Sequence, residues 1–174
     1  YSGTMQPPSR AAQTSSLPVY RVYPFPTEAT SFGPSVLLTN PADAGASPFG
    51  WHDNNGVAGD EFTTTQGNNV WAYDDTADVD QPGSFADGGA TMNFDFPANF
   101  SQPPAAYMSA SLTNLFYVNN RVHDILYHYG LDEAGGNFQD FNYSGQGAGS
   151  DYVLAECQDG GGTNNANFAT PDDG

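Results

Sequence analysis

The 174-residue sequence has the length of one domain or of part of a larger one, with 38% hydrophobic and 14% aromatic residues. Aromatic side chains at this frequency make a packed core feasible and exclude a disordered acidic tail. Twenty Asp and Glu against three Arg give a net charge of −17, which disfavours binding to nucleic acid and to anionic membranes.

The first 16 residues are small and polar, which predicts an extended amino-terminal segment. Strands are predicted further on, wherever apolar, aromatic or β-branched residues alternate or cluster between turn residues. These segments are 17–25, 36–39, 62–65, 70–73, 92–96 and 152–155.

A long helix is predicted from about 103 to 129. Ala105 to Tyr129 contains neither Pro nor Gly, and apolar residues recur there every three or four positions. Ser101 is a candidate N-cap and Gly130 a natural stop. One apolar stripe, which we expect to face the core, comprises Met108, Leu112, Leu115, Val118, Val122, Ile125 and Tyr129. Strands packed on this helix predict an α+β fold, with residues 17–174 in one unit.

The three histidines and the single cysteine form no catalytic or metal-binding motif. His123 and Asp124 are adjacent in the predicted helix and point about 100° apart, so a structural histidine is favoured over a metal ligand. His52 and His128 are isolated, and no His-Glu-x-x-His motif occurs. The apolar neighbours of Cys157 predict a buried, inert thiol. The chain therefore offers no catalytic residue and no metal ligand of its own by motif.

Two polar features have a functional and an ordinary interpretation. Four carboxylates in residues 74–80 could bind calcium, although the spacing is not that of an EF-hand and a solvated acidic loop is the alternative. Asn99 and Asn142 each begin an Asn-x-Ser sequon, a candidate glycosylation site that fits secretion but also arises by chance. The chain begins at Tyr1 without Met, as expected of a mature or excised piece.

Five blocks resemble the fungalysin family of secreted fungal zinc metallopeptidases, which are similar to thermolysin. Their order and spacing agree with the family from about residue 20 to the end, whereas residues 74–90 follow no family pattern. The blocks are ASPFGW at 46–51, TTTQGNNV at 63–70, LFY and VHDILY within 115–127, GLDEAGGNFQ at 130–139, and GSDYV to NNANFATP at 149–171.

The resemblance implies the β-rich amino-terminal lobe of a two-lobed catalytic domain with zinc between the lobes. In the family, two His of a His-Glu-x-x-His helix and a downstream Glu hold the zinc, and the Glu of the motif activates water. All three ligands would follow Gly174, so none is carried over to this chain. The implied partners are the carboxy-terminal part of the same enzyme, a protein or peptide substrate, and its own propeptide.

The resemblance also implies a substrate-binding edge strand at residues 164–166. There Asn165 would hold a substrate backbone group through its amide, and Ala166 would contribute a backbone contact. Backbone pairing at a sheet edge gives a protease affinity for many sequences and orients the scissile bond. Without the resemblance, an Asn-rich tail would be ordinary turn material.

Two hypotheses follow for the function. The favoured one is the amino-terminal half of a secreted, extracellular zinc metalloendopeptidase. The alternative is a non-catalytic secreted acidic β-rich module, which would bind calcium through Asp74–Asp80 or a glycan through exposed aromatics such as Trp51 and Trp71.

Overall fold

The computed structural model describes residues 17–27, 29–163, 166 and 168–169, in which short strands pack against one long helix. This arrangement confirms the predicted α+β class. The elements are β1 (Val19–Val22), β2 (Val36–Thr39), β3 (Val70–Asp74), β4 (Asn93–Phe94), α1 (Met108–Tyr127) and β5 (Val153–Cys157). None of the helices in this part of the chain is both long and apolar enough to cross a membrane.

The strands form two small sheets. In the first, β1 lies between β2, which is antiparallel to it, and β4, which is parallel. In the second, β3 and β5 pair in parallel, with Val70 opposite Val153 and Asp74 opposite Cys157. Two parallel strands need a long connection between them, and α1 lies within that connection and packs against both strands.

The core is built mainly from rings, as the composition predicts. Tyr20 of β1 stacks on Phe94 of β4 with ring centroids 5.2 Å apart, and Phe116 of α1 lies 4.9 Å from His52. Trp51 meets Phe116 edge-on at 6.1 Å. All five side chains are fully buried, so aromatic packing joins the first sheet to the helix.

The predicted helix is divided at its start. A 3₁₀ turn, Pro104–Tyr107, precedes α1, and no side chain caps either of the two elements. The prediction that Ser101 caps the helix is wrong, because its hydroxyl donates to Asn99 Oδ1 at 2.7 Å. At the other end Gly130 follows the helix with φ +98°, and this left-handed conformation confirms the predicted stop.

The predicted apolar stripe has the right period, but only part of it faces the described core. Leu112 is buried, and Leu115 is half-buried. The side of α1 that faces the sheets instead carries Phe116, Asn120 and Asp124, all buried. This correction has a physical reason, since hydrogen bonds satisfy the two polar side chains inside the lobe.

Two predicted strands are reduced. Residues 62–65 make only an isolated bridge, Thr64 to Asp87, to which the bond from Thr65 N to Ala86 O belongs. The Thr65 hydroxyl donates to Ala72 O. The segment 92–96 pairs over Asn93–Phe94 alone, since Met92 adopts a left-handed conformation with φ 52°. The other four predicted strands are present; the strand at 36–39 has the predicted ends, and the other three have shifted ends.

Candidate functional site

The predicted substrate-binding segment follows β5. Ala166 is exposed, but it lies in no strand, and Asn165 falls outside the described residues. β5 pairs with β3 along one edge, and among the residues that the structure describes no strand covers its other edge. The edge-strand role of Asn165 and Ala166 therefore stays a prediction.

The chain between β5 and Ala166 is held against the acidic loop. Gly160 N donates to Asp75 O at 3.0 Å, and a Cβ at Gly160 would lie 2.6 Å from Thr76 O. Gly161 N donates to Asp159 Oδ1 at 2.7 Å. Any side chain at position 160 would force the two segments apart, so glycine is required there for the close approach.

Three carboxylates converge beside this turn: Asp75, Asp80 and Glu156 offer oxygens that lie within 4.8 Å of one another. We call this group the acidic cluster. Asp75 is buried, and its oxygens accept the N–H groups of Val79 at 3.1 Å and Asp80 at 3.2 Å. Hard oxygen donors of this kind suit calcium.

Glu156 is the member of the acidic cluster that sequence reasoning missed. It belongs to β5 and accepts the Tyr73 hydroxyl at 2.9 Å. Burial, together with this hydrogen bond to Glu156, raises the pKa of Tyr73 well above its ordinary value. Only the parallel pairing, which sets Glu156 opposite Tyr73, could have placed this carboxylate beside the loop.

The one group of candidate metal ligands among the described residues has a composition unlike that of typical zinc sites. The acidic cluster is the one group of three potential ligands within bonding range in the described ranges, and it contains neither His nor Cys, the donors typical of zinc. His52 Nε2 lies 2.7 Å from Tyr20 Oη, and its Nδ1 lies 2.9 Å from Gln66 O. Burial lowers the pKa of His52 to about 4, which keeps the ring neutral.

The other two histidines also have local partners. His123 Nδ1 lies 3.2 Å from Asp124 Oδ1, and its Nε2 lies 3.2 Å from Asn137 Nδ2. These contacts fit the structural role predicted for His123. His128 is exposed and contacts Asp43 Oδ1 at 3.0 Å.

Asp124 is a buried anchor point that sequence reasoning did not identify. It is 1% exposed. Its Oδ2 accepts Asp43 N at 2.9 Å and Trp51 Nε1 at 3.0 Å, and its Oδ1 accepts Ser47 Oγ at 2.8 Å. A carboxylate is rarely found on the buried face of a helix, and nothing in the local sequence marks Asp124 as buried.

The proposed glycan-binding aromatics are not available as expected. Trp51 is 1% exposed and belongs to the core, so its predicted role as an exposed aromatic is wrong. Trp71 is half-buried and stacks on Tyr152 with ring centroids 4.6 Å apart.

Cys157 is buried, and desolvation raises the pKa of its thiol to about 11. The protonated thiol is the poorly reactive form, which agrees with the prediction of an inert cysteine.

The two sequons differ in their surroundings. Asn99 is exposed, with its Oδ1 accepting Ser101 N at 3.1 Å. Asn142 is half-buried, and its Nδ2 donates to Gln146 O at 2.7 Å and Ala148 O at 2.6 Å. An N-linked glycan would replace one of those donated hydrogens. Occupancy at both sites stays a prediction.

Comparison with known proteins identifies relatives over most of the chain. It is 41% identical over 157 residues to extracellular metalloproteinase 1 of Arthroderma gypseum, and 40% identical over 157 residues to extracellular metalloproteinase mep of Aspergillus flavus. It is 39% identical over 163 residues to extracellular metalloproteinase MEP of Leptosphaeria maculans. Each match covers 89% of this chain but only 24% of the relative, so the chain spans about a quarter of their length.

The family model described as fungalysin metallopeptidase (M36) matches residues 19–174. That match includes all six elements described above and the segment that follows β5. The chain belongs to the fungalysin metallopeptidase family (M36).

Proposed function

We propose that this chain is the amino-terminal half of a secreted zinc metalloendopeptidase, which hydrolyses peptide bonds in proteins, and that it forms one wall of the substrate cleft. The single observation that carries this function is the family match over residues 19–174. The relatives are named extracellular metalloproteinases, which supports an extracellular location.

In the proposed enzyme, the zinc is bound by residues outside this chain. Zinc, when bound, polarises the scissile carbonyl and lowers the pKa of its water. The described residues offer no histidine-containing ligand group, so the zinc ligands are expected beyond residue 174. The carboxy-terminal part of the same enzyme is thus a required partner, and its propeptide is a further proposed one.

This half would orient the substrate through residues that follow β5. Ala166 is exposed, and the hydrogen bond from Gly160 N to Asp75 O holds the turn after β5 against the acidic loop. A backbone contact at Ala166 and an amide contact from Asn165 would align an extended peptide without reading its side chains. That tolerance suits an endopeptidase.

Asn165→Ala in the full-length enzyme tests the proposed amide contact. Loss of one hydrogen bond to the substrate, worth about 1–1.5 kcal/mol, should lower kcat/KM for a casein-derived peptide about 5- to 12-fold. Asn164→Ala is the matched control, because in the proposed edge strand the side chains of neighbouring residues would point in opposite directions. Equal kcat/KM in both variants and the wild type would remove Asn165 from the site.

Zinc content and chain composition test the broader function. The protein purified from the parent gene should carry about one zinc per molecule, and denatured intact mass should show residues beyond 174 in the same chain or in a second one. Zinc-free protein with no further polypeptide would instead favour the non-catalytic module. In either case, calcium binding at the acidic cluster stays a prediction.

A further inference from the structure

Three aromatic rings contact one another in series at the surface of the lobe. The ring of Tyr143 lies in the middle, with its centroid 5.2 Å from that of Phe49 and 5.6 Å from that of Phe141. Phe49 is 38% exposed and Phe141 is 42% exposed. Single exposed aromatic residues are common, but exposed rings in contact, with polar residues around them, are a feature of interaction sites. We call these three residues the aromatic patch.

The aromatic patch packs against the loop formed by residues 53–61. Gly56 lies at the contact, since a Cβ at this position would be 3.1 Å from Phe141 Cε1 and 3.6 Å from Tyr143 Cδ1. The Tyr143 hydroxyl donates to Asp53 Oδ1 at 3.0 Å. Burial and the charge of Asp53 raise the pKa of Tyr143 well above its ordinary value, so the hydroxyl stays a neutral donor. The rings and the loop therefore form one surface.

Four carboxylates surround the aromatic patch. The loop carries Asp53, Asp60 and Glu61, and Asp140 joins it by accepting Asn54 Nδ2 at 2.8 Å. Burial and the charges of Glu61 and Asp53 raise the pKa of Asp60, so these like charges lie close enough to repel one another. In the described part of the chain, only the acidic cluster brings three potential ligands within bonding range of one metal ion. The four carboxylates are thus too widely spaced for three of them to share a metal.

The protein supplies little positive charge to balance this surface. The chain contains no Lys, and of the Arg residues that the structure describes, Arg21 pairs with Asp95 and Arg121 with Asp124. The face of an aromatic ring attracts cations, and a carboxylate accepts hydrogen bonds from them. A guanidinium or ammonium group on a flexible side chain could make both contacts here at once.

We infer that the aromatic patch and its four carboxylates bind Arg or Lys side chains of protein substrates. This inference rests on the proposed function. Charge complementarity selects the occupant, because rings and carboxylates together favour a cationic side chain over a neutral or an acidic one. Such a site would increase the affinity for substrates with a basic segment and so lower KM, while leaving kcat unchanged.

A basic probe tests the site in the full-length enzyme. The probe is rhodamine-labelled tetra-D-arginine, which resists cleavage, and fluorescence anisotropy measures its Kd. Phe141→Ala and Glu61→Gln should each raise the Kd about five- to tenfold. The matched controls are Phe32→Ala, 74% exposed, and Asp78→Asn, also exposed, and each should change the Kd by less than about twofold.

Peptide hydrolysis by the same enzyme tests whether substrates are the occupant. Two fluorogenic peptides share one cleavage sequence and carry either four Arg or four Ser after a flexible linker of about ten Gly and Ser residues. We expect KM for the Arg peptide to be about fivefold lower, with equal kcat. This difference should disappear in Phe141→Ala and persist in Phe32→Ala.

The outcomes separate this inference from the proposed function. Equal effects of Glu61→Gln and Asp78→Asn on the Kd would show that the probe responds to the overall negative charge, which overturns the site. An active zinc enzyme with equal KM for both peptides would overturn the role in substrate recognition alone. Probe binding that depends on Phe141 in a protein without zinc or peptidase activity would defeat the proposed function, and with it the substrate as occupant, but not the site.

Discussion

A single buried carboxylate, Asp124, connects the loop that carries Trp51 to the last turn of α1. Its oxygens accept three hydrogen bonds from that loop, and Arg121 Nη1 lies 3.7 Å from Oδ2 on the more exposed side. A buried charge is tolerated only when such donors replace its water shell. Because Asp124 accepts all three of these hydrogen bonds, substituting it tests how much they stabilise the protein.

Asp124→Asn should destabilise the protein by about 2–4 kcal/mol. The side-chain nitrogen of Asn cannot accept a hydrogen bond. It would face a donor group that now bonds to a carboxylate oxygen, and both buried groups would lack a partner. Asp78→Asn, at an exposed position, makes the same charge change and should cost less than about 0.5 kcal/mol. Denaturant unfolding of both variants measures the difference, and equal midpoints would show that Asp124 anchors nothing.

The buried imidazole of His52 predicts a pH dependence of stability. Its pKa is about 4 in the folded protein, against an ordinary value of 6.5. Between these values the unfolded chain binds a proton that the native state does not, so stability falls as the pH falls from 6.5 to 4. The total loss from this residue is about 3 kcal/mol.

The contribution of His52 is measured by comparing how steeply the unfolding free energy changes with pH in the wild type and in a His52 variant. We expect the unfolding free energy of His52→Gln to vary less between pH 7 and 4.5 than that of the wild type, whatever its absolute value. His128→Gln replaces an exposed histidine and is the control for losing one imidazole. A wild-type slope that survives in His52→Gln would assign the pH dependence to the carboxylates.

At the scale of elements, periodicity in the sequence predicts that a helix exists more reliably than which side it buries. The stripe from Met108 to Tyr129 has the predicted period and includes the buried Leu112, yet most buried residues of α1, such as Phe116 and Asp124, lie on another side. Polar residues contribute nothing to an apolar pattern, so their burial depends on partners that only the tertiary structure brings close. Asn120, for example, accepts Asn69 Nδ2 at 3.0 Å.

The same limit explains which parts of the candidate site could be predicted. The acidic loop is visible as a run of carboxylates, but Glu156 joins Asp75 and Asp80 through strand pairing across some eighty residues of chain. The β-branched run 62–65 resembles a strand locally, but its backbone pairing is limited to the isolated bridge between Thr64 and Asp87. Local sequence predicts elements, and long-range partners determine the site.

Alanine substitutions test the sheet-facing side of α1 and the predicted apolar stripe separately, through their effect on the unfolding free energy. Phe116→Ala removes a fully buried ring and should cost about 3–5 kcal/mol, since the remaining lobe cannot close the cavity. Leu115→Ala is predicted from the sequence to cost about 2–5 kcal/mol as a core residue, and Leu115 is half-buried against the core cluster. Phe32→Ala, 74% exposed, is the control. A cost for Leu115→Ala below about 0.5 kcal/mol would place the predicted stripe on the surface and contradict the fold prediction.

At the scale of the whole molecule, the charge balance sets how stability depends on salt. Twenty acidic residues face only three Arg. Among the described residues two of those Arg make ion pairs, Arg21 with Asp95 and Arg121 with Asp124. Repulsion between unpaired carboxylates therefore outweighs attraction, and it grows as the chain compacts.

Salt should consequently stabilise this protein. Raising NaCl from about 10 mM to 1 M shortens the screening length from about 30 Å to 3 Å. If screening relieves about 1–2 kcal/mol of repulsion, the thermal midpoint should rise by roughly 2–8 °C. A fall in the midpoint would mean that attractive ion pairs dominate.

Calcium at matched ionic strength separates screening from binding. With dissociation constants of about 10⁻⁴–10⁻³ M, as in extracellular calcium modules, 5 mM CaCl₂ would add about 1–2 kcal/mol beyond the effect of NaCl. Asp80→Asn is the matched variant, because Asn tolerates the left-handed φ of 51° at that position while removing one oxygen charge from the acidic cluster. If the extra stabilisation is lost in Asp80→Asn, the calcium binds at the acidic cluster. If CaCl₂ and NaCl act alike in the wild type, the cluster is a solvated acidic loop and the calcium prediction is wrong.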